Sequence, residues 1–169
     1  EAFPDAVFVY NEAYDQTNTS KSLLKALKAS HDGGVLWMNG DVVFDPRVLG
    51  IVEERIHNGQ SFVCVDHASV ADEEVKYTLG DDGMIAELSK TVVGGLGEAV
   101  GINYVSGEDK SRLITRLDEC EEQDYFERGI ELAIEKDGVR FEPVDISEFQ
   151  VVEVDFDDDL TKANAFVSP

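Results

Sequence analysis

The sequence predicts an α/β protein with a three-layer, Rossmann-like architecture, in which helices cover both faces of a mostly parallel sheet. Two observations support this fold class. Short apolar runs alternate with amphipathic segments of helical period, in the order β-α-β-α-β, over the first 66 residues. The second observation is the order of the later segments, in which a β-hairpin insertion is followed by mixed helices and strands. No linker or internal repeat divides the chain, so we expect a single domain over residues 1–169.

The first three predicted strands are apolar on consecutive positions, as strands buried on both faces of a sheet are. They cover residues 7–10, 35–38 and 61–66. After the first of them, Ser20 is expected to cap a helix that carries Leu23, Leu24 and Leu27 on one side. This segment is therefore predicted to be an amphipathic helix packed against the sheet.

The second predicted helix begins at Asp45-Pro46, because Asp is a favoured N-cap and Pro is favoured at the first helical position. Apolar residues at a spacing of four, from residue 48 to residue 56, form one buried stripe. Asn58-Gly59 then ends the helix.

A hairpin is predicted in the middle of the chain, where an Asp-Gly turn separates two β-like runs at residues 75–79 and 84–88. A further strand covers residues 99–105. The helix after it begins with Ser106 and Asp109, whose spacing is typical of a capping box.

Two more helices and one strand complete the prediction. The next helix starts at Gln123 or Asp124 and stops at Asp137-Gly138, because Gly favours the left-handed conformation that ends helices. A late strand covers residues 151–154. The final helix covers residues 157–166 and begins with acidic residues, which the helix dipole favours there.

The chain is strongly acidic, with 36 Asp and Glu residues against 14 Lys and Arg residues and a net charge of −22. This charge excludes nucleic-acid binding through a basic face. A solvated acidic surface and adaptation to high salt both explain it. No apolar run approaches the roughly 20 residues of a membrane span, no signal-peptide pattern opens the chain, and the two cysteines form no CxxC motif. We therefore expect a cytoplasmic protein that binds neither nucleic acid nor membrane.

Two carboxylates follow apolar runs near opposite ends of the chain. Asp41 comes shortly after the strand at 35–38, and Asp155 comes directly after the strand at 151–154. If these strands are parallel neighbours, both carboxylates lie at one edge of the sheet, where they suit Mg²⁺. Alternatively, Asp41 caps a turn and Asp155 caps the last helix. The residues alone leave both possibilities open.

Four other residues are candidates for binding a substrate. Lys90 is the only cation in an apolar and acidic stretch, so it is either an electrostatic anchor for a phosphate or a solvated lysine. Glu98, Tyr125 and Glu127 combine acids with an aromatic ring, which suits a quaternary ammonium group. The alternative is a set of surface acids and core aromatics. The ammonium interpretation favours an amino-alcohol phosphate over a sugar phosphate.

Five short motifs, in order along the chain, resemble those of the nucleotidyltransferase superfamily. The resemblance is closest to the sugar-1-phosphate nucleotidyltransferases and the phosphocholine cytidylyltransferase-like enzymes. The motifs are YNEAYDQTN at 10–18, NGDVVFDP at 39–46, ELSK at 87–90, GEAVGI at 97–102 and EVDFDDDL at 153–160. Two of these motifs depart from the family pattern, since Glu12 stands in place of Pro in the first motif and Phe156-Asp157 in place of Thr-Pro in the last.

The resemblance implies a reaction in which a phosphate oxygen of a small phosphorylated molecule attacks the α-phosphorus of a nucleoside triphosphate and pyrophosphate leaves. The acceptor is a phosphocholine-like compound or a sugar-1-phosphate. The resemblance also implies that Asp41 and Asp155 hold Mg²⁺, and that Asp41 and Lys90 are catalytic, with Lys90 steadying a phosphate. It implies that Thr17 and Asn18 lie near the nucleotide or substrate pocket.

One family feature has no counterpart in this sequence. The family's glycine-rich loop, with an Arg and a downstream Lys that grip the triphosphate, is absent, and the sequence contains neither GxGxxG nor GxxxxGK[ST]. We therefore expect the domain to lack its first βα unit and the chain alone to be inactive. The alternative is a non-catalytic binding or regulatory module on the same fold.

Overall fold

A computed structural model of the chain describes residues 3–67 and 74–167. Helices and strands alternate along these residues. The elements are α1 (Thr19–Ala29), β1 (Val35–Met38), β2 (Val42–Phe44), α2 (Val48–His57), β3 (Phe62–Asp66), β4 (Lys76–Leu79), β5 (Ile85–Ser89), β6 (Glu98–Val105), α3 (Lys110–Glu119), α4 (Phe126–Asp137), β7 (Glu142–Asp145), β8 (Val151–Glu153) and α5 (Asp157–Val167).

The main sheet is built around β6. Its strand order is β5-β4-β6-β3-β7, and β1 pairs with the C-terminal half of β6. β3 and β7 pair in parallel, and β6 runs antiparallel to both β1 and β3, so β1, β3 and β7 share one direction. The antiparallel β4–β5 pair is the predicted hairpin. The predicted α/β class is therefore confirmed, with antiparallel strands added to the parallel set.

Helices cover both faces of this sheet, as predicted. Helices α1, α3 and α4 pack on one face, where Leu27, Leu113 and Ile130 are buried in one apolar cluster. Helix α2 covers the other face through Val48 and Val52, which belong to a second cluster. No helix within the two described ranges is long and apolar enough to cross a membrane.

Two predicted helix caps are present in the structure. The Ser106 hydroxyl donates to Asp109 Oδ2 at 3.0 Å, and the Asp109 backbone N–H donates to Ser106 Oγ at 3.2 Å. Gly138 ends α4 with φ of 65°, the left-handed conformation that glycine adopts without a steric cost. Local chemistry therefore sets the end of α4. The turn before α3 also uses Ser61, whose hydroxyl donates to Asp109 Oδ2 at 2.8 Å and accepts from the Ser106 backbone N–H at 3.0 Å.

Two other helix starts differ from the prediction. Asn18 caps α1 in place of Ser20, because its side-chain oxygen accepts from the Thr19 backbone N–H at 2.8 Å. Helix α2 starts at Val48, beyond Asp45, because Asp45 Oδ1 accepts from the Arg47 backbone N–H and forms a turn before the helix. In both cases a side chain close to the expected cap makes the bond that decides the boundary.

The strand predictions were wrong at three places, one of which is β2, a strand that was not predicted. Residues 7–10 form no strand, and Val7 and Phe8 remain 82% and 76% exposed, because no neighbouring strand pairs with them in the described part of the chain. The sequence did not predict β7, where Pro143 and flanking acids interrupt the apolar pattern. Pro is compatible with β7 because this strand lies at the edge of the sheet.

Candidate functional site

A two-stranded antiparallel ribbon, β2–β8, brings residues 42–44 and 151–153 together. Its register pairs Val42 with Glu153, and the Val154 backbone N–H donates to the Asp41 carbonyl at 2.9 Å. Asp41 at the start of β2 therefore lies beside the end of β8, where Asp155 follows. The premise that the strands preceding these carboxylates are parallel neighbours is wrong, since β1 pairs with β6 and β8 pairs with β2.

A cavity of about 260 Å³, here called the central cavity, collects most of the predicted site residues. Asp41 and Asp155 line it from the ribbon. Lys90 lines it from the end of β5, and Tyr125 and Glu127 line it from the start of α4. Residues separated by more than 100 positions in the sequence thus share one site.

The central cavity is strongly negative. It is lined by five carboxylates, namely Asp41, Glu74, Glu127, Glu153 and Asp155, and in the described part of the chain Lys90 is the only basic residue lining it. The pKa of Glu153 is raised by desolvation and then by the charges of Asp41, Glu74 and Asp155, and Lys90 opposes this shift. The cavity therefore favours the binding of cations.

Asp41 and Asp155 fit a hard divalent cation, because carboxylate oxygens are the ligands that Mg²⁺ prefers. Within the described residues, no three His, Cys, Asp or Glu side chains are arranged to hold a metal together. Two carboxylates are sufficient for Mg²⁺, which keeps several waters and takes other ligands from substrate phosphates. The donor set and the excess negative charge are both compatible with such an ion.

Lys90 is exposed, yet its ammonium has a defined neighbour in the cavity. Nζ lies 5.0 Å from the centroid of the Tyr125 ring, within the range of a cation–π contact. Its charge lowers the pKa of both Glu127 and Glu153 against the stronger effects that raise them. The lysine is thus the positive pole of the site.

Glu127 is the buried carboxyl of the site. It is only 8% exposed, and its Oε2 has no hydrogen-bond partner among the residues that the structure describes. Burial raises its pKa to about 7; a hydrogen bond from its own backbone N–H and the charge of Lys90 oppose this shift, and Glu153 and Glu131 add to it. Glu127 also lines a second cavity of about 520 Å³, here called the outer cavity, between β5 and α4. Glu127 therefore lines both cavities.

Three predicted residues lie elsewhere. Thr17 Oγ1 accepts from Asn11 Nδ2 and donates to the Ala13 carbonyl, both at 2.9 Å, and so stabilises the turn before α1. Asn18 is the cap of α1, and neither residue lines the central cavity, although the adjacent Thr19 does. Glu98 begins β6 and lines a neighbouring cavity of about 500 Å³ together with Glu153 and Asp155.

Asn39 lines the central cavity but was not predicted as a site residue. Its backbone N–H donates to the Gly101 carbonyl at 2.9 Å. Gly101 has φ of +72°, and a Cβ at this position would lie 2.7 Å from Asn39 Nδ2. Glycine therefore leaves room for the Asn39 side chain. The signals in the sequence were the Asn39-Gly40-Asp41 motif and, for the equally unassigned Glu153, the Glu153-Val154-Asp155 motif.

Comparison with known proteins gives matches in structure alone. No protein-family model matches the chain, and no curated protein matches its sequence. The structure is similar to an inositol-1-phosphate CTP transferase from T. maritima, with a TM-score of 0.72 and 14% identity over 91% of this chain and 65% of that chain. It is similar to the CTP:phosphocholine cytidylyltransferase from Streptococcus pneumoniae, with a TM-score of 0.67 and 14% identity over 94% and 67% of the two chains.

A UDP-glucose pyrophosphorylase is a third similar structure, with a TM-score of 0.66 and 11% identity over 90% of this chain and 62% of that chain. The chain thus spans about two thirds of the length of the solved structures it matches. At these identities the similarity establishes the fold. The chain has the fold of the sugar-1-phosphate nucleotidyltransferases and cytidylyltransferases, as its motifs predicted.

Proposed function

We propose that this domain transfers a nucleotidyl group from a nucleoside triphosphate to the phosphate of a small molecule, with release of pyrophosphate. The observation that carries the proposal is the convergence of Asp41, Asp155 and Lys90 on the central cavity. The fold supports the same reaction class, since the similar structures are named as a CTP transferase, a cytidylyltransferase and a pyrophosphorylase.

Asp41 and Asp155 are the residues that would hold Mg²⁺. When bound, the ion supplies positive charge that neutralises the phosphate oxygens of the nucleotide. The β2–β8 register keeps the two residues next to each other through backbone pairing, so their positions do not depend on long flexible side chains. A site preorganised in this way loses little free energy to rearrangement during the reaction.

In the proposed reaction, an oxygen of the acceptor phosphate forms a bond to the α-phosphorus, and the bond from the α-phosphorus to the bridging oxygen breaks. The electron pair of that bond leaves with pyrophosphate. A phosphate dianion is already a nucleophile, so no general base is needed. The task of the chain is positioning and charge stabilisation. Lys90, held over the Tyr125 ring, donates its N–H groups to a phosphate oxygen.

We also propose that these 169 residues alone have little or no transferase activity. A triphosphate carries several negative charges, and Lys90 is the only basic residue among the described residues that line the central cavity. The sequence contains no glycine-rich phosphate loop. A form of the protein that carries such a loop is expected to be active with Mg²⁺.

The test measures pyrophosphate release with Mg²⁺ for a panel of nucleoside triphosphates against phosphocholine, aminoethylphosphonate and sugar-1-phosphates. The loop-carrying form should turn over, and Asp41→Asn should reduce its rate by roughly 1000-fold, the upper range for loss of one electrostatic group. Asp32→Asn, at an exposed position outside the cavity, is the matched control. An unchanged rate in Asp41→Asn would rule out the role of Asp41.

Two other outcomes revise the proposal in different ways. Robust turnover by the 169-residue chain alone would contradict the need for the loop. Nucleotide binding without pyrophosphate release, in the long and short forms alike, would favour a non-catalytic binding or regulatory module. The absence of a phosphate loop from the sequence is the observation that keeps this second candidate open.

A further inference from the structure

We propose that the acceptor carries a primary ammonium group and that Glu127 binds it. This inference rests on the proposed function and specifies its substrate as a short aminoalkyl phosphate or phosphonate. The observation behind it is the carboxylate oxygen Glu127 Oε2, which is buried and has no partner among the described residues.

Glu127 has the features of a binding group more than those of a structural one. Buried polar atoms are nearly always hydrogen-bonded in native structures, so an orphaned buried acceptor calls for an explanation. Residues of the core provide no donor to Oε2, whereas the side chain lines both the central and the outer cavity. A ligand in these cavities can therefore supply the missing N–H or O–H.

A quaternary ammonium group does not fit this site. It has no N–H to donate to Glu127, and its usual receptor is a cage of free aromatic faces. The ring of Tyr125 is already engaged by Lys90 at 5.0 Å. Phe126 is buried and packs against Trp37, with ring centroids 5.8 Å apart. A cage needs several free aromatic faces, and Phe126 offers none, so a primary ammonium group fits better than the trimethylammonium of phosphocholine.

A cationic donor also fits better than the hydroxyl groups of a sugar. The charged groups that interact with Glu127 are Lys90 beyond β5, Glu131 on the same helix and Glu153 on β8. Two of these three are acidic, and the central cavity has five carboxylates against one lysine. A sugar hydroxyl would satisfy the hydrogen bond but leave this repulsion in place, whereas an ammonium group relieves both.

The position of Lys90 defines the size of the acceptor. Lys90 and Glu127 line the same two cavities and interact electrostatically. An acceptor whose phosphate binds Lys90 and whose ammonium binds Glu127 therefore needs only a short linker between the two groups. The outer cavity, of about 520 Å³, has room for such a molecule beside Ser89, Thr91 and Gln123.

Calorimetry tests the inference. Each probe is titrated into the chain in the presence of Mg²⁺; the probes are O-phosphoethanolamine, its N-methylated series up to phosphocholine, ethyl phosphate and glucose-1-phosphate. We expect O-phosphoethanolamine to bind at least about 10-fold more tightly than phosphocholine or ethyl phosphate, a difference typical of one charge-assisted hydrogen bond. Glu127→Gln should remove this preference. Glu135→Gln, on the exposed side of the same helix, should keep it.

Proton release gives a second readout that a purely structural role for Glu127 would not produce. Because the pKa of Glu127 is about 7 in the free protein, its carboxyl is mostly protonated at about pH 6, and pairing with an ammonium group should expel most of one proton. Titrations in two buffers of different ionisation enthalpy measure this release. In Glu127→Gln the release should fall by most of one proton, to what the phosphate group, whose second pKa is about 6, gives up by itself. This variant is expected to fold because Gln resembles the protonated carboxyl.

Three results would overturn the inference: equal binding of O-phosphoethanolamine and phosphocholine, an unchanged preference in Glu127→Gln, or no binding of any probe. Pyrophosphate release tests the transferase proposal separately. That proposal survives if a sugar-1-phosphate proves to be the acceptor, and it fails if pyrophosphate is never released even though O-phosphoethanolamine binds through Glu127.

Discussion

The two sides of the central cavity are built in different ways. On the ribbon side, Asp41 and Asp155 are exposed and are brought together by backbone pairing of β2 with β8. On the helix side, Glu127 is buried at the start of α4, next to Lys90 and Tyr125. Exposed carboxylates on a rigid ribbon are suited to an ion that arrives from solvent. A buried carboxyl group of raised pKa is suited to a positively charged ligand.

The chemistry of an acidic group in this site therefore depends on its surroundings. Both sides use carboxyl groups in a protein of net charge −22. Burial raises the pKa of Glu127 on the helix side to about 7, and desolvation with the charges of Asp41, Glu74 and Asp155 raises the pKa of Glu153 on the ribbon side.

Of the variants that follow, loss of the cation on the helix side should have the largest effect. In a form of the protein that turns over, Lys90→Met should lower the rate of pyrophosphate release by roughly 100-fold or more, because one preorganised charge is worth that much at a reacting phosphate. Lys28→Met is the matched control, since Lys28 pairs with Asp118 away from the cavity. Equal rates in the two variants would show that Lys90 is only a solvated lysine.

Replacement of Glu127 should change the pH dependence of stability. Its folded pKa of about 7 lies above its usual value of 4.5, so its favourable contribution is complete below about pH 4.5 and is lost as the pH rises through 7. Between about pH 5 and about pH 8 the wild-type chain should lose about 2 to 3 kcal/mol of unfolding free energy more than Glu127→Gln does.

Urea unfolding at the two pH values measures this difference, with Glu135→Gln as the control for removal of a charge from the same helix. The control should follow the wild-type pH dependence. Parallel curves for the wild type and Glu127→Gln would mean that the carboxyl group is ionised in the folded state well below pH 7. The contrast between the two sides of the cavity would then be lost.

Two glycine substitutions separate backbone strain from crowding beneath the cavity. Gly101 and Gly138 both have positive φ, but only at Gly101 would a Cβ meet a neighbour, Asn39 Nδ2 at 2.7 Å. Gly138→Ala should therefore cost about 1 kcal/mol for the left-handed backbone alone. Gly101→Ala should cost about 1 kcal/mol more, since a crowded site must also shift. Equal losses in urea unfolding would show that Asn39 moves aside freely.

Local chemistry made several elements predictable from the sequence. The end of α4 depends on Gly138 and was predicted correctly, whereas the predicted Ser106–Asp109 contact before α3 is present but also uses the distant Ser61. Asp41 and Asp155, which were selected because each follows an apolar run, line the same cavity, and their pairing as Mg²⁺ ligands stays a prediction. The geometry that joins them was wrong, since the antiparallel partner of a three-residue strand such as β2 cannot be identified from local pattern.

Long-range contacts decided the features that the sequence could not predict. Residues 7–10 have the composition of a strand but have no strand beside them in the described chain, so they form no strand and remain exposed. In contrast, β7 contains Pro143 and is a strand because β3 pairs with it. The burial of Glu127 likewise depends on how α4 packs against β5, which no periodicity in the sequence reveals.

Divalent-cation binding tests the central claim, that Asp41 and Asp155 form one ion site, most directly. Mn²⁺, a spectroscopic substitute for Mg²⁺, can be titrated into the wild-type chain, Asp41→Asn, Asp155→Asn and the double variant in about 0.15 M salt, which screens the diffuse surface charge. Each single variant should weaken binding of one tight Mn²⁺ ion by at least about 10-fold, and the double variant should add little, because the two ligands share the ion. Additive small losses that match the Asp32→Asn control would show that the acidic surface binds Mn²⁺ diffusely, and would contradict the account.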